Sequence, residues 1–204
     1  MYKGNKGFIL KFGDLAKTLS LEDWKTTSLE DLDSDTEWVA IVTDDAEAYL
    51  NEINAIVAKM KHPKTCFVID LHPCANYKHL QKLWDNYMMV DRESVEVLLS
   101  FIHHHLVNHS MISFTIQDFR VCSVPYPFVK AVSADIVKDA PIDPNAQAMC
   151  YGLCFEQACG LGTSYVNAFA KTTDKIDEDK YVPWSIQYSS DNVIEAIFFY
   201  ERKF

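Results

Sequence analysis

Trp38-Val-Ala-Ile-Val-Thr43, followed at once by Asp44 and Asp45, is the stretch whose reading decides the fold. It is apolar and β-branched, and too short for a buried helix, which is the pattern of a strand covered on both faces. Tyr49, Ile53, Ile56, Val57 and Met60 then recur at helical spacing, and Pro63 ends that helix. Cys66-Phe-Val-Ile-Asp70 repeats the strand pattern. A helix over 91–109, with Val95, Leu98, Leu99, Ile102 and Leu106 on its apolar stripe, leads into 110–117. There Ile112, Phe114 and Ile116 alternate with Ser113, Thr115 and Gln117, so a third strand is expected. Strands alternating with helices predict an α/β domain: a mixed β-sheet of four to six strands packed against helices.

Outside this stretch, Asp44 is expected to cap the helix that follows it, with Glu47 in capping-box position. Asp143-Pro144 reads as a helix start, with Ala146, Met149, Cys150, Leu153 and Cys154 as the stripe and Gly152 inside it. Tyr165 to Lys171 reads as a strand. Trp184, Ile186 and Tyr188 alternate with polar residues, and the turn Ser190-Asp-Asn192 returns the chain into Val193–Phe199. This predicts a C-terminal antiparallel hairpin. Residues 1–37 read as an N-terminal extension, with Gly7–Phe12 as a short strand. From Leu21 to Glu37 seven acidic residues face one lysine, an acidic connector to a single α/β domain over 38–204.

The chain is 204 residues long, 49% hydrophobic and 24% charged, the balance of a globular protein with an ample core. A net charge of −10 argues against nucleic acid as a partner. No apolar run approaches the roughly 20 residues that span a bilayer, and the basic N-terminus lacks the apolar core of a secretion signal. The six cysteines fall mostly in strand or helix patterns, the usage expected of reduced thiols in a cytoplasmic protein.

No Gly-rich phosphate loop is present, and Cys159-Gly-Leu-Gly162 follows an expected helix where a nucleotide fingerprint would precede one. No cofactor is therefore expected beyond a possible divalent metal. Asp70, His72, His105 and His109 are the candidate ligands for one: His105 and His109 lie one helical turn apart, and Asp70 and His72 sit at the carboxyl end of a strand. His104 is expected to point to solvent. With a metal, His72, His105 and His109 would serve a small hydrolase. The competing reading is structural, since histidines near a helix C-terminus are favoured by its dipole. Cys74 beside His72 is the candidate nucleophile. Asp118, with Arg120, is a candidate just past a strand end, against the plainer reading of a loop salt pair.

The order of elements resembles the C-terminal domain of the FtsZ/tubulin family. The resemblance runs from the strand Trp38–Thr43 through a helix and the strand Phe67–Asp70 to Thr115-Ile-Gln-Asp-Phe-Arg120, in the place of the family's Asn-x-Asp-x-x-Asp loop. Ser185–Ser189 and Ala196–Glu201 match its final pair of strands. Only 37 residues precede Trp38, so the GTP-binding domain is not represented, and the loop's carboxylate pair is not reproduced around Asp118. Thr172 to Pro183 is too short and polar for the helix the family places before its last strands. The resemblance implies a non-enzymatic protein-interaction or assembly module acting through self-association or a protein partner, with the metal-dependent hydrolase as the rival reading.

Overall fold

The computed structural model describes residues 7–20, 24–32, 36–72, 74–108, 114–156 and 162–202. Its strands are β1 (Gly7–Phe12), β2 (Trp24–Thr26), β3 (Val39–Thr43), β4 (Cys66–Asp70), β5 (Tyr87–Val90), β6 (Phe128–Asp135), β7 (Ala148–Phe155), β8 (Trp184–Tyr188) and β9 (Val193–Tyr200). They form one sheet in the order β2-β1-β3-β4-β5-β6-β9-β7-β8. The pairs from β2 to β6 are parallel, β9 is antiparallel to both β6 and β7, and β8 is parallel to β7. The sheet is mixed as expected, but nine strands wide rather than four to six. The antiparallel character expected at the C-terminus lies in β6-β9-β7, with β7 inserted between β8 and β9. The segment ahead of Trp38 contributes β1 and β2 to this same sheet.

Helices cover both faces, giving three layers. On one face α2 (Leu50–Lys59) buries Ile53 and Ile56, α3 (Tyr77–Leu83) buries Leu80, and α6 (Gly162–Thr173) brings Phe169 against Tyr151. On the other, α1 (Asp14–Lys17) buries Ala16, α4 (Val95–Ile102) buries Val95, Leu98, Leu99, Phe101 and Ile102, and α5 (Ile116–Ser123) buries Phe119 and Cys122. Burying a Leu, Ile, Val or Phe side chain stabilises by about 1.5–3 kcal/mol, so the helices other than α1, which buries only Ala16, are held mainly by their apolar faces.

Three expected elements take other forms. Residues 148–155 are strand β7 rather than helix, and all eight are buried. A strand in the middle of a sheet is covered on both faces and loses the period-two alternation that would mark it. Residues 162–173 are helix α6 rather than strand. Residues 116–123 are helix α5, started by Thr115: its hydroxyl accepts from the Asp118 amide (3.2 Å), and Asp118 Oδ2 accepts from the Thr115 amide (2.8 Å). That reciprocal cap overrides the short alternation read there as a strand; residues 109–113 lie outside the described residues.

Candidate functional site

Two places gather polar groups. The first lies outside the carboxyl ends of β1 and β3. From β1 the chain crosses to β2 on one side, while β3 to β6 run outward on the other, and α1 and α2 pack on opposite faces. A reversal of strand order of this kind opens a crevice in which α/β proteins bind anionic ligands. Here a carboxylate from the chain fills it. Asp44, directly after β3, accepts the Leu15 amide on Oδ2 and the Ala16 amide on Oδ1, both at 2.8 Å. Asp44 therefore caps α1, not α2. Asp45 serves the later turn, taking the Glu47 and Ala48 amides on Oδ1 at 3.0 and 3.1 Å. Gly13, between β1 and α1, has φ +92°, and a Cβ there would lie 2.4 Å from the Asp44 carboxylate. Glycine is needed at this position both for its backbone conformation and for space.

Further along the same edge, Asp70 ends β4, wholly buried. It accepts the Tyr87 hydroxyl (2.8 Å) and the His72 amide (3.1 Å). Burial pushes its carboxyl above the ordinary range, against the pull of the Tyr87 and His72 bonds. Cys74 is half-buried, and burial, with Glu47 nearby, raises its thiol to about 11, so it carries little nucleophilic thiolate at neutral pH. Asp118 is held by Thr115 and by the Tyr181 hydroxyl (3.0 Å). Arg120 faces Asp85 (3.5 Å) rather than Asp118.

The second place is five strands across the sheet. After α4 the chain makes one π turn, His103–Val107, closed by the Asn108 amide on the His103 carbonyl at 3.0 Å. Such widened turns recur at functional sites. This one brings both His104 and His105 down onto β7, β8 and β9, so His104 does not point to solvent. Its side chain is 18% exposed, with Nδ1 3.7 Å from Glu195 Oε2. His105 is fully buried, with Nδ1 2.6 Å from Ser185 Oγ on β8. Its Nε2 lies 3.3 Å from Glu195 Oε2 on β9 and 3.5 Å from Cys154 Sγ on β7. The ring fits because residue 152 is glycine: a Cβ there would meet His105 Nε2 at 2.1 Å.

Electrostatically, this cluster is charged on one side. Burial would raise Glu195, but the imidazoles of His104 and His105 outweigh it and hold the carboxyl down at about 2. Burial dominates at His105 and lowers its pKa, favouring the neutral ring. Burial, reinforced by Glu195, keeps the Cys154 thiol protonated. A buried thiol of that kind is no nucleophile.

The structure bonds Asp70 to the backbone amide of the exposed His72, not to its ring, and sets His105 apart from both, with β5, β6 and β9 between β4 and the β7 strand on which His105 packs. His109 lies outside the described residues. Sequence reading missed Cys154, Ser185 and Glu195 as a group. The one hint was Gly152, an unfavoured residue in an apolar run, whose place is taken up by a neighbouring ring.

No protein family matches this chain, and no curated protein matches it by sequence. Among solved structures, it is similar to an FtsZ dimer from M. jannaschii, at a TM-score of 0.46 and 11% identity over 80% of this chain and 63% of that one. It is also similar to CetZ from Methanosaeta thermophila, at 0.49 and 9% over 83% and 64%. A third is a TubZ protofilament from Bacillus thuringiensis serovar israelensis, at 0.34 and 13% over 79% and 53%. The chain spans less than two thirds of the length of each of these, and the likeness is one of fold alone.

Proposed function

We propose that this chain is a non-enzymatic protein-association module, with a second copy of itself as the partner to test first. The observation that carries this reading is the Asp44 carboxylate bonded to the Leu15 and Ala16 amides. At the crevice where an α/β sheet would receive a phosphate, the donors are already satisfied by an internal anion. What remains for recognition is surface. At the amino-end rim of the sheet, where α3 and α5 finish, Leu83, Val121 and Val124 are 41%, 45% and 46% exposed. Polar links stiffen this rim: Gln81 Nε2 donates to the Val124 carbonyl at 3.1 Å, and Arg120 meets Asp85. Exposed apolar side chains on a rigid rim suit a contact between proteins.

The test is sedimentation of the purified chain over a wide concentration range, with fluorescent guanine and adenine nucleotides titrated in parallel. Association that weakens in Val121→Glu and Val124→Glu, without nucleotide binding, supports the reading. Stoichiometric nucleotide binding, or a monomer at every concentration, overturns it.

A further inference from the structure

We infer that His104, Cys154 and Glu195 form a binding site for a single zinc ion, between the π turn and strands β7 and β9. Three observations carry the inference, independently of the association reading. The ligand-type atoms of these residues all lie within 4.8 Å of one another. His104 Nδ1 stands 3.7 Å from Glu195 Oε2 and 3.8 Å from Cys154 Sγ. Bonds of about 2.0–2.1 Å to nitrogen and oxygen and about 2.3 Å to sulfur set the ligand atoms of a tetrahedral zinc about 3.3–3.6 Å apart. The two His104 edges need a contraction of only a few tenths of an ångström, and the Cys154–Glu195 edge, within 4.8 Å, closes by at most about 1.3 Å to seat the ion.

The second observation is an unsatisfied oxygen. Glu195 is 3% exposed, and its Oε2, 3.3 Å from His105 Nε2 and 3.7 Å from His104 Nδ1, has only these poorly directed imidazole contacts and no well-formed hydrogen bond among the described residues. The two imidazole nitrogens near it are shared with other groups: His104 Nδ1 with Ser100 Oγ (3.3 Å) and Cys154 Sγ (3.8 Å), and His105 Nε2 with Cys154 Sγ (3.5 Å). A buried carboxylate oxygen left without a donor costs at least about 1–3 kcal/mol and calls for an ion or a water as its partner.

The third observation is charge and chemistry. Thiolate, imidazole and carboxylate are all zinc ligands, and the thiolate favours zinc over calcium or magnesium. Zn²⁺ with one thiolate, one carboxylate and one neutral imidazole has no net charge, which suits a buried place. Binding converts the Cys154 thiol to thiolate, the S–H proton leaving to solvent as the Zn–S bond forms. His105, pinned by Ser185, flanks both the carboxylate and the sulfur, and the partial exposure of His104 leaves a path for the ion. The fourth position is filled by water.

The experiment uses the full chain, stripped with chelator and shown by circular dichroism to remain folded. It is titrated with Co²⁺ and then displaced by Zn²⁺. One equivalent of cobalt is expected, with a thiolate-to-cobalt charge-transfer band, an intense tetrahedral visible spectrum, and loss of both on adding zinc. The thermal midpoint should rise with zinc concentration. Cys154→Ser should abolish the charge-transfer band, and Glu195→Gln should weaken zinc binding by at least about tenfold, the order seen when groups around a metal are removed. Cys74→Ser, on the opposite side of the sheet order, should leave all of it unchanged. A folded wild-type chain that shows no thiolate–cobalt band and no zinc-dependent midpoint overturns the proposal, leaving an ordered water as the partner of Glu195. So does a band that survives Cys154→Ser.

Discussion

The Asp44 carboxylate lies where a side chain on Gly13 would begin, 2.4 Å from a Cβ built at that glycine. The two residues close one crevice together. Gly13, at φ +92°, turns the chain out of β1 and leaves room, and Asp44 fills that room to cap α1. Asp44→Ala removes the acceptor of two amides and should cost about 1–2 kcal/mol, the upper range for a lost helix cap. Asp44→Asn, which keeps one acceptor oxygen, should recover part of that. Gly13→Ala should cost more than either, because strain and overlap add. Urea unfolding of the three variants checks the order; Gly13→Ala as stable as wild type would contradict the geometry.

Gly152 plays a comparable part on β7 without an unusual backbone angle. The steric term stands alone: a methyl group would meet His105 Nε2 at 2.1 Å, and the ring is held on its other side by Ser185. Gly152→Ala should therefore destabilise by about 1–3 kcal/mol, the usual range for overpacking a core, whereas alanine in a strand interior would otherwise be tolerated. In the double variant Gly152→Ala/His105→Ala the loss assigned to the added methyl should shrink. Additive losses would show that the two residues do not press on each other.

These two glycines also mark how far the sequence is legible. The strands at Val39–Thr43 and Cys66–Asp70 and the helix at Leu50–Lys59 stand where pattern places them, because each is a single run between clear stops. Residues 148–155 do not. Buried on both faces, they show no alternation, and Asp143-Pro144 ahead of them imitates a helix start. Asp143 instead accepts the Asn145 amide in a turn (2.9 Å) and the Tyr200 hydroxyl (2.6 Å). The candidate site was hidden for a related reason. Ser185 sits in an alternating strand where a polar residue reads as solvent-facing, Glu195 is the lone charge in the apolar run of β9, and only the strand order brings both beneath the π turn.

Two aspartates should bend the stability–pH curve in opposite directions. Asp143 is partly buried, which would raise it, but the Tyr200 and Asn145 bonds outweigh that and hold it below its ordinary 3.8. Its contribution is present above pH 3.8 and is lost as pH falls through the folded value. Asp70 is held above 3.8, chiefly by burial. Its contribution is present below pH 3.8 and is lost as pH rises through the folded value, so at neutral pH its charge is a cost. Asp143→Asn should flatten the acid limb, and Asp70→Asn should gain on wild type as pH rises from 3 to 7. Thermal midpoints measured across that range check both, and a parallel shift of the two variants would refute the assignment.

Self-association through the amino-end rim should strengthen with salt. Each copy carries a net charge of −10, so two copies repel wherever their faces approach. The apolar contribution from Leu83, Val121 and Val124 does not depend on ionic strength at this level, whereas the repulsion is screened over about 10 Å at 0.1 M salt and about 3 Å at 1 M. The dissociation constant from sedimentation should therefore fall as salt rises from 0.05 to 0.5 M. The slope should be smaller in a variant with two exposed acids neutralised beyond the carboxyl ends of β1 and β5, Asp14→Asn with Glu93→Gln. Association that weakens with salt would mean that attraction between opposite charges holds the copies together, placing the contact elsewhere, on a surface where lysines such as Lys138 and Lys175 meet acids of the partner copy.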